Sequence, residues 1–341
     1  MLRYNPSLQK ELSRNILKSF EIVLCMALIK RTIIRVVQLL VSALLFAGII
    51  FYIGPSVIYQ TLTSVNIFYL PFIFLLLLLS ILFTPFSLLV LYRNITYPNL
   101  SLRRLYNLRL MTSFLGLFTP GRLGDFSILL FLKKQYHVNI LPIFYILMLD
   151  KSLTLLHALF FSFLGFIILF QHFTIAFYIF LTFLIVFFLG VSSTFFLKKL
   201  RTVSSRLFHI KRFDLFLSTL ASFSKKFLLS NHSSVYANFF LTFINNLLTA
   251  TIAKVTFASL SLDVPFVPIF LINNILTITS LIPFGFSGFG LKEISSIYLY
   301  TRIGVAPDIT TTSIIIFLFF RCTIAFIYFV FIYPRTRDTT Q

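Results

Sequence analysis

The sequence predicts an all-α polytopic membrane protein, with about eight transmembrane helices, a re-entrant hairpin and two glycine-rich broken segments. Three observations carry this prediction. Hydrophobic residues make up 58% of the 341 and charged residues 11%; no soluble core could bury so much apolar surface, so lipid must be the solvent. Apolar runs long enough to cross about 30 Å of hydrocarbon recur along the chain. The 29 Lys and Arg, against 9 Asp and Glu, lie between those runs, where they set topology and meet anionic headgroups. In a soluble chain the net charge of +20 would suggest nucleic acid; here no nucleic-acid partner is expected.

Residues 1–32 read as a cytoplasmic or interfacial segment. Their short apolar run IVLCMALI has no small-residue cleavage site after it, so no signal peptide is expected. Seven basic residues within 1–35 put the N-terminus inside. One transmembrane domain, 33–334, follows, with apolar runs at 33–54, 66–92, 140–169, 173–197, 235–260, 266–282 and 309–333. Residues 55–65 lack Lys and Arg and read as an external loop. The segment 109–132 is apolar but interrupted at Pro120–Gly121. If it crossed fully, the loop 198–230, with eight basic residues against Asp214 alone, would face outward; a re-entrant hairpin avoids this. That basic loop reads as an amphipathic helix on the inner leaflet. The glycine-broken segment 283–303 must cross outward if the cytoplasmic tail 335–341, with Arg335 and Arg337, is to lie inside. Cys25 and Cys322, far apart and in apolar surroundings, support neither a disulfide framework nor a metal site.

A charge at membrane depth costs on the order of 2.5–3.5 kcal/mol, so each asks for a partner or a purpose. The candidates are Arg122 and Asp125, Asp150 and Lys151, Lys254, Lys292 and Glu293, and Arg321. Two stretches share a design: TPGRLGD (119–125) and SGFGLKE (287–293) each join glycines (Gly121 and Gly124; Gly288 and Gly290) to a basic and an acidic side chain. Glycines free backbone amides, and a helix opening after such a turn offers its positive end to an anion such as a lipid phosphate. Paired discontinuous elements point to a transporter-type site in which the two motifs face each other. Mutual neutralisation between helices is the alternative. The doublets Asn245–Asn246 and Asn273–Asn274 fall inside spans, where amides link helices or line a polar cavity. His157 is read as hydrogen-bonded packing. No phosphate loop, metal-ligand pattern or nucleophile elbow is present, and no cofactor is expected.

Together TPGRLGD, the Asp150–Lys151 pair, IPFGFSGFGLKE and Arg321 opening a segment that ends in Tyr333–Pro334 resemble the flippase-like transmembrane domain of lysylphosphatidylglycerol synthases, which also occurs as stand-alone membrane proteins. Pro120, Gly121, Gly124 and Asp125 match its first motif, Asp150 and Lys151 its acidic–basic pair, Gly288, Gly290, Lys292 and Glu293 its second motif, and Arg321 its terminal arginine. Ser287 and Phe289 depart from a commoner Pro and Gly, and Lys stands for Arg at two positions, which matters where bidentate phosphate binding is needed. In bifunctional members this domain is taken to move aminoacylated phosphatidylglycerol between leaflets, while a separate soluble domain makes that lipid. The resemblance therefore implies a lipid translocase in the cell membrane with no lipid synthesis of its own, and the basic residues put both termini on the cytoplasmic side. Its headgroup, from an anionic phospholipid or a polyprenyl-phosphate lipid, would meet Gly121, Arg122, Gly124, Asp125, Asp150, Lys151, Gly288, Gly290, Lys292, Glu293 and Arg321. Arg122, Lys292 and Arg321 would neutralise phosphate, and the three acids would engage a cationic or hydroxylated group. Two alternatives stay open: an accessory subunit for a separately encoded lipid synthase or glycosyltransferase, and an intramembrane lipid-phosphate transferase with Asp125 or Glu293 as general base.

Overall fold

The computed structural model describes residues 48, 50–93, 101–117, 124–136, 140–191, 231–281, 291–328 and 330. Among them every regular element is helical. The α-helices are α1 (Pro55–Thr63), α2 (Leu70–Tyr92), α3 (Leu102–Leu117), α4 (Ser127–Tyr136), α5 (Ile140–Ile168), α6 (Phe173–Val191), α7 (His232–Ser259), α8 (Phe266–Leu281), α9 (Leu291–Arg302) and α10 (Pro307–Ile327), with a 3-10 turn at Ile67–Tyr69. The all-α polytopic class follows, and the expected runs from 66 onward coincide with helices to within a few residues at most described ends.

Four stretches are long and apolar enough to cross a membrane: Ile67–Tyr92, Pro142–Ile168, His232–Ser259 and Pro307–Ile327. Phe173–Thr182 and Phe266–Ser280 are shorter apolar helices. Large apolar side chains such as Phe72, Leu75, Phe177, Phe240 and Phe319 lie exposed on these elements, as lipid-facing positions require. The helix α9, at 12 residues, spans only about 18 Å. Most of the expected span 33–54, the residues 118–123 and 282–290 that hold Gly121, Arg122, Gly288 and Gly290, the loop 198–230 and both termini lie outside the described residues.

One reading needs correction. Residues 55–63, expected as loop, form α1. Pro55 at the start has its φ pre-set for a helix, and Gly54 takes φ 101, a conformation open to glycine. Thr61 then donates to the Asp308 carboxylate at 3.0 Å, tying α1 to the first turn of α10.

The helix α7 is the hub: it packs against α2, α5, α8 and α10. Three apolar clusters surround it. Leu88 and Leu91 of α2 meet Ile128 and Leu132 of α4 and Ile143 and Ile146 of α5. Phe257 of α7 meets Ile269 and Ile272 of α8 and Leu299 and Tyr300 of α9. Ile73 and Leu77 of α2 join Phe114 of α3, Ile252 of α7 and Ile316 of α10. In lipid these contacts gain packing rather than water exclusion, so close fit and interhelical polar contacts must hold the bundle. Gly165 of α5 permits one such approach: a Cβ there would lie 3.3 Å from Leu271 and Ile275 of α8.

Candidate functional site

The helices α3 and α4 are brought together by a glycine contact. A Cβ on Gly124 would lie 2.5 Å from the carbonyl carbon of Leu115 and 2.6 Å from the nitrogen of Gly116, both backbone atoms that cannot move aside. A Cβ on Gly116 would lie 2.8 Å from Oδ1 of Asp125. The chain thus enters α4 with its backbone against α3, and this closeness sets the Asp125 carboxylate beside Gly116. Ser127 closes the turn by donating to the Gly124 carbonyl at 2.6 Å.

Asp125 is buried and accepts from Lys151 of α5 at 2.5 Å. Arg109 of α3, 2% exposed, brings Nη1 to 3.5 Å from Asp125 Oδ1 and Nη2 to 3.8 Å from Asp150 Oδ2. The Oδ1 of Asp150 takes a hydrogen bond from Asn238 of α7 at 3.0 Å and a longer one from Ser87 of α2 at 3.4 Å. Asn238 also donates to the Ser87 carbonyl at 2.7 Å. Four helices and the turn that enters α4 therefore meet at two carboxylates and two cations whose charges cancel, the condition under which buried charge is tolerable.

A second charged group faces the same space. Glu293 is buried in the first turn of α9, where the helix dipole favours an anion. Lys292 Nζ lies 5.8 Å, and Arg321 Cζ 5.6 Å, from the centroid of the Phe317 ring. A cavity of about 320 Å³ is lined by Arg109, Asp125, Asp150, Lys151, Lys292, Glu293 and Arg321, with Ser80, Asn245, Asn246 and Asn273 among the neutral polar residues on its wall. Six of the seven expected charges that are described, Asp125, Asp150, Lys151, Lys292, Glu293 and Arg321, therefore share one cavity. Gly124 stands behind it as packing, and Gly121, Arg122, Gly288 and Gly290 are outside the described residues.

Two charges differ from expectation. Arg109 was not among the expected charges, yet it is the link between Asp125 and Asp150. Lys254, read as a charge at membrane depth, is not on the cavity wall: it reaches Asp263 and donates to the Val264 carbonyl at 2.7 Å, where the chain leaves α7. Its long stem lets the ammonium leave the apolar region. His157 packs among Phe161, Phe239 and Phe243, with Nδ1 2.8 Å from Asn246 Nδ2. Among the described residues no group of His, Cys, Asp and Glu could hold a metal ion.

The family model described as lysylphosphatidylglycerol synthase TM region matches residues 35–330. The chain belongs to this family. Neither the curated proteins nor the solved structures give a significant match. As a lysylphosphatidylglycerol synthase TM region protein with helices that span a membrane, it is a multi-pass membrane protein with a lipid-related function. The matched range holds every charged residue of the cavity. What such a wall offers is charges of both signs beside hydroxyls and amides.

Proposed function

We propose that this protein is a lipid translocase of the cell membrane, in which the headgroup of a phospholipid or polyprenyl-linked lipid enters the polar cavity while its acyl chains remain in the bilayer. The observation that carries the reading is the shared cavity of about 320 Å³ with its seven charged side chains. Its depth is telling: Asp150 follows Ile140, the first residue of α5, by ten positions, about 15 Å along the axis. Charges so far into a spanning helix are costly, and a bundle keeps them where they mark a substrate pathway. Membership in a family named for a lipid-synthase membrane region agrees with a lipid substrate. The hairpin 109–132 entering and leaving on the cytoplasmic side, and both termini inside, belong to the same proposal.

The test is reconstitution of the full chain in liposomes containing headgroup-labelled fluorescent lipids, followed by chemical quenching from outside. Translocation brings nearly all label within reach of the quencher, against only the outer-leaflet share in empty vesicles. If several lipid classes, with and without an imposed proton or sodium gradient, stay at the empty-vesicle level, the translocase reading fails.

A further inference from the structure

Behind the cavity runs a hydrogen-bond chain whose direction is fixed by a backbone carbonyl. The Phe270 carbonyl on α8 can only accept, so the side-chain atom of Asn274 that lies 2.8 Å from it is the donor Nδ2. The other end of that amide, Oδ1, is an acceptor, and Nδ2 of Asn246 on α7 donates to it at 3.3 Å. The same Nδ2 lies 2.8 Å from Nδ1 of His157 on α5. An amide nitrogen has two protons and accepts nothing, so both protons are committed and Nδ1 meets the second with its lone pair. The ring proton is then on Nε2. With the proton on Nδ1 instead, Asn246 would have to turn over, and its oxygen would stand 3.3 Å from the oxygen of Asn274, where two acceptors repel.

His157 is fully buried and is not on the cavity wall. The rings of Phe161, Phe239 and Phe243 surround it, with centroids 4.6, 5.5 and 5.7 Å from that of the imidazole, and its Nε2 has no hydrogen-bond partner among the described residues. The helices packed against α5, which are α2, α4, α6, α7 and α8, contain no Asp or Glu. On α5 itself Asp150 is already held by Ser87, Asn238 and Arg109. The other charged residues of these helices, Lys133, Lys134, Lys151 and Lys254, are all basic. An imidazolium at this place would be a buried charge without a counter-charge, so the ring is held neutral. Asn246, by contrast, is half-buried and stands on the wall. With both Nδ2 protons spent behind the wall, the atom it has left for the cavity is Oδ1, which accepts from no described residue.

We infer that His157 is a positioning residue for the cavity: as a neutral imidazole with its proton on Nε2 it holds Asn246 turned so that the wall presents an amide oxygen, and the cavity thereby favours an occupant that brings an N–H or O–H to that oxygen. The inference rests on the reading that the cavity receives the substrate. An occupant without such a donor displaces water and leaves the oxygen unpaired.

Two measurements on the full chain test this. With nitrogen-15-labelled histidine, the ring-nitrogen signals that are absent from His157→Asn belong to His157. They should show an unprotonated Nδ1 and a protonated Nε2, unchanged between about pH 5 and about pH 8, where an ordinary histidine titrates. A proton on Nδ1, or titration within that range, overturns the inferred orientation of Asn246. The purified chain in neutral detergent is then titrated with dioleoyl phosphatidylethanolamine, whose ammonium donates, and with dioleoyl phosphatidylcholine, which has the same charge and no donor, and bound lipid is counted by native mass spectrometry. The ethanolamine lipid should bind about threefold to tenfold more tightly, the worth of one hydrogen bond. His157→Phe, which removes the acceptor for Asn246, and Asn246→Leu should both lose that preference. His157→Asn, whose side-chain oxygen can take the place of Nδ1, should keep it; a residue that only fills space would be replaced better by Phe than by Asn. A wild type without the preference, whether both lipids bind or neither does, overturns the inference, and so does a preference that survives in His157→Phe or Asn246→Leu. Liposome translocation by the wild type is scored separately: its absence removes the underlying reading, and its presence without the preference removes this inference alone.

Discussion

Replacing Arg109 with Met should destabilise the bundle more than any other single change at the cavity. The guanidinium is 2% exposed and stands 3.5 Å from Asp125 and 3.8 Å from Asp150. At an effective dielectric of about 20, Coulomb attraction is roughly 4.7 kcal/mol at 3.5 Å and roughly 4.4 kcal/mol at 3.8 Å. Desolvation of the guanidinium offsets much of this, so the expected net loss is about 3–5 kcal/mol, the usual cost of leaving buried charge uncompensated. The mechanism makes a further demand. Without Arg109 the described cluster holds two carboxylates against one cation, Lys151, and Asp150→Asn restores charge balance while its side-chain oxygen can still accept from Ser87 and Asn238. The double variant Arg109→Met/Asp150→Asn should therefore be more stable than the sum of the singles by about 0.5–3 kcal/mol. Equilibrium unfolding in mixed micelles, or thermal denaturation followed by fluorescence size exclusion, reads both quantities. A single variant that unfolds at the wild-type midpoint, or a double variant with strictly additive losses, would refute a charge-balanced cluster.

Three other perturbations separate the parts of the site. Gly124→Ala sets a methyl 2.5 Å from the Leu115 backbone, so α3 and α4 must part, at about 1–3 kcal/mol; Gly48→Ala, which meets nothing within 4 Å, is the control, and equal melting of the two removes the close-approach account. Asn238→Leu deprives Asp150 of its 3.0 Å donor and should cost about 1–3 kcal/mol as an unsatisfied buried acceptor, read as a lower midpoint in the same unfolding assay. Lys254→Gln breaks a contact whose partner Asp263 has a 91% exposed side chain and should change stability by under about 1 kcal/mol with liposome translocation intact; loss of translocation would return Lys254 to the site.

The helices were legible because lipid imposes a simple demand: each spanning segment must be apolar and satisfy its own backbone. That demand is written locally, so 66–92, 140–169 and 235–260 appear as helices close to their expected bounds. Most of the cavity's charges were legible for the complementary reason. A carboxylate such as Asp150 has no cheap place within an apolar run, and its mere presence there is the signal. Arg109 sent no such signal, because an arginine near the end of an apolar segment reads as a topology marker whether it faces headgroups or turns inward. Only the fold distinguishes the two, through the approach of α3 to α4 and α5. Lys254 failed in the opposite sense: its position in the sequence is deep, but its ammonium is carried four carbons away to Asp263 and Val264. For long basic side chains, residue number locates the backbone and not the charge.

This asymmetry bears on how the two glycine motifs work. Asp125 and Glu293 are short acids whose charges stay where their helices hold them, and both are buried on the wall of one cavity. The basic residues Lys151, Lys292 and Arg321 on the same wall are longer and only partly buried. A headgroup phosphate that competes for these cations meets acids that cannot follow them and cations that can. On the translocase reading, entry of an anion should draw the basic side chains toward the ligand, and its exit should return them. The cluster around Arg109 is different, since its guanidinium is itself enclosed between two carboxylates and has little room to exchange partners. The Arg109 side of the cavity thus encloses its charge pairs, whereas Lys292 and Arg321 stand against Phe317 on longer side chains; if the translocase reading holds, it is these that have the reach to follow a headgroup.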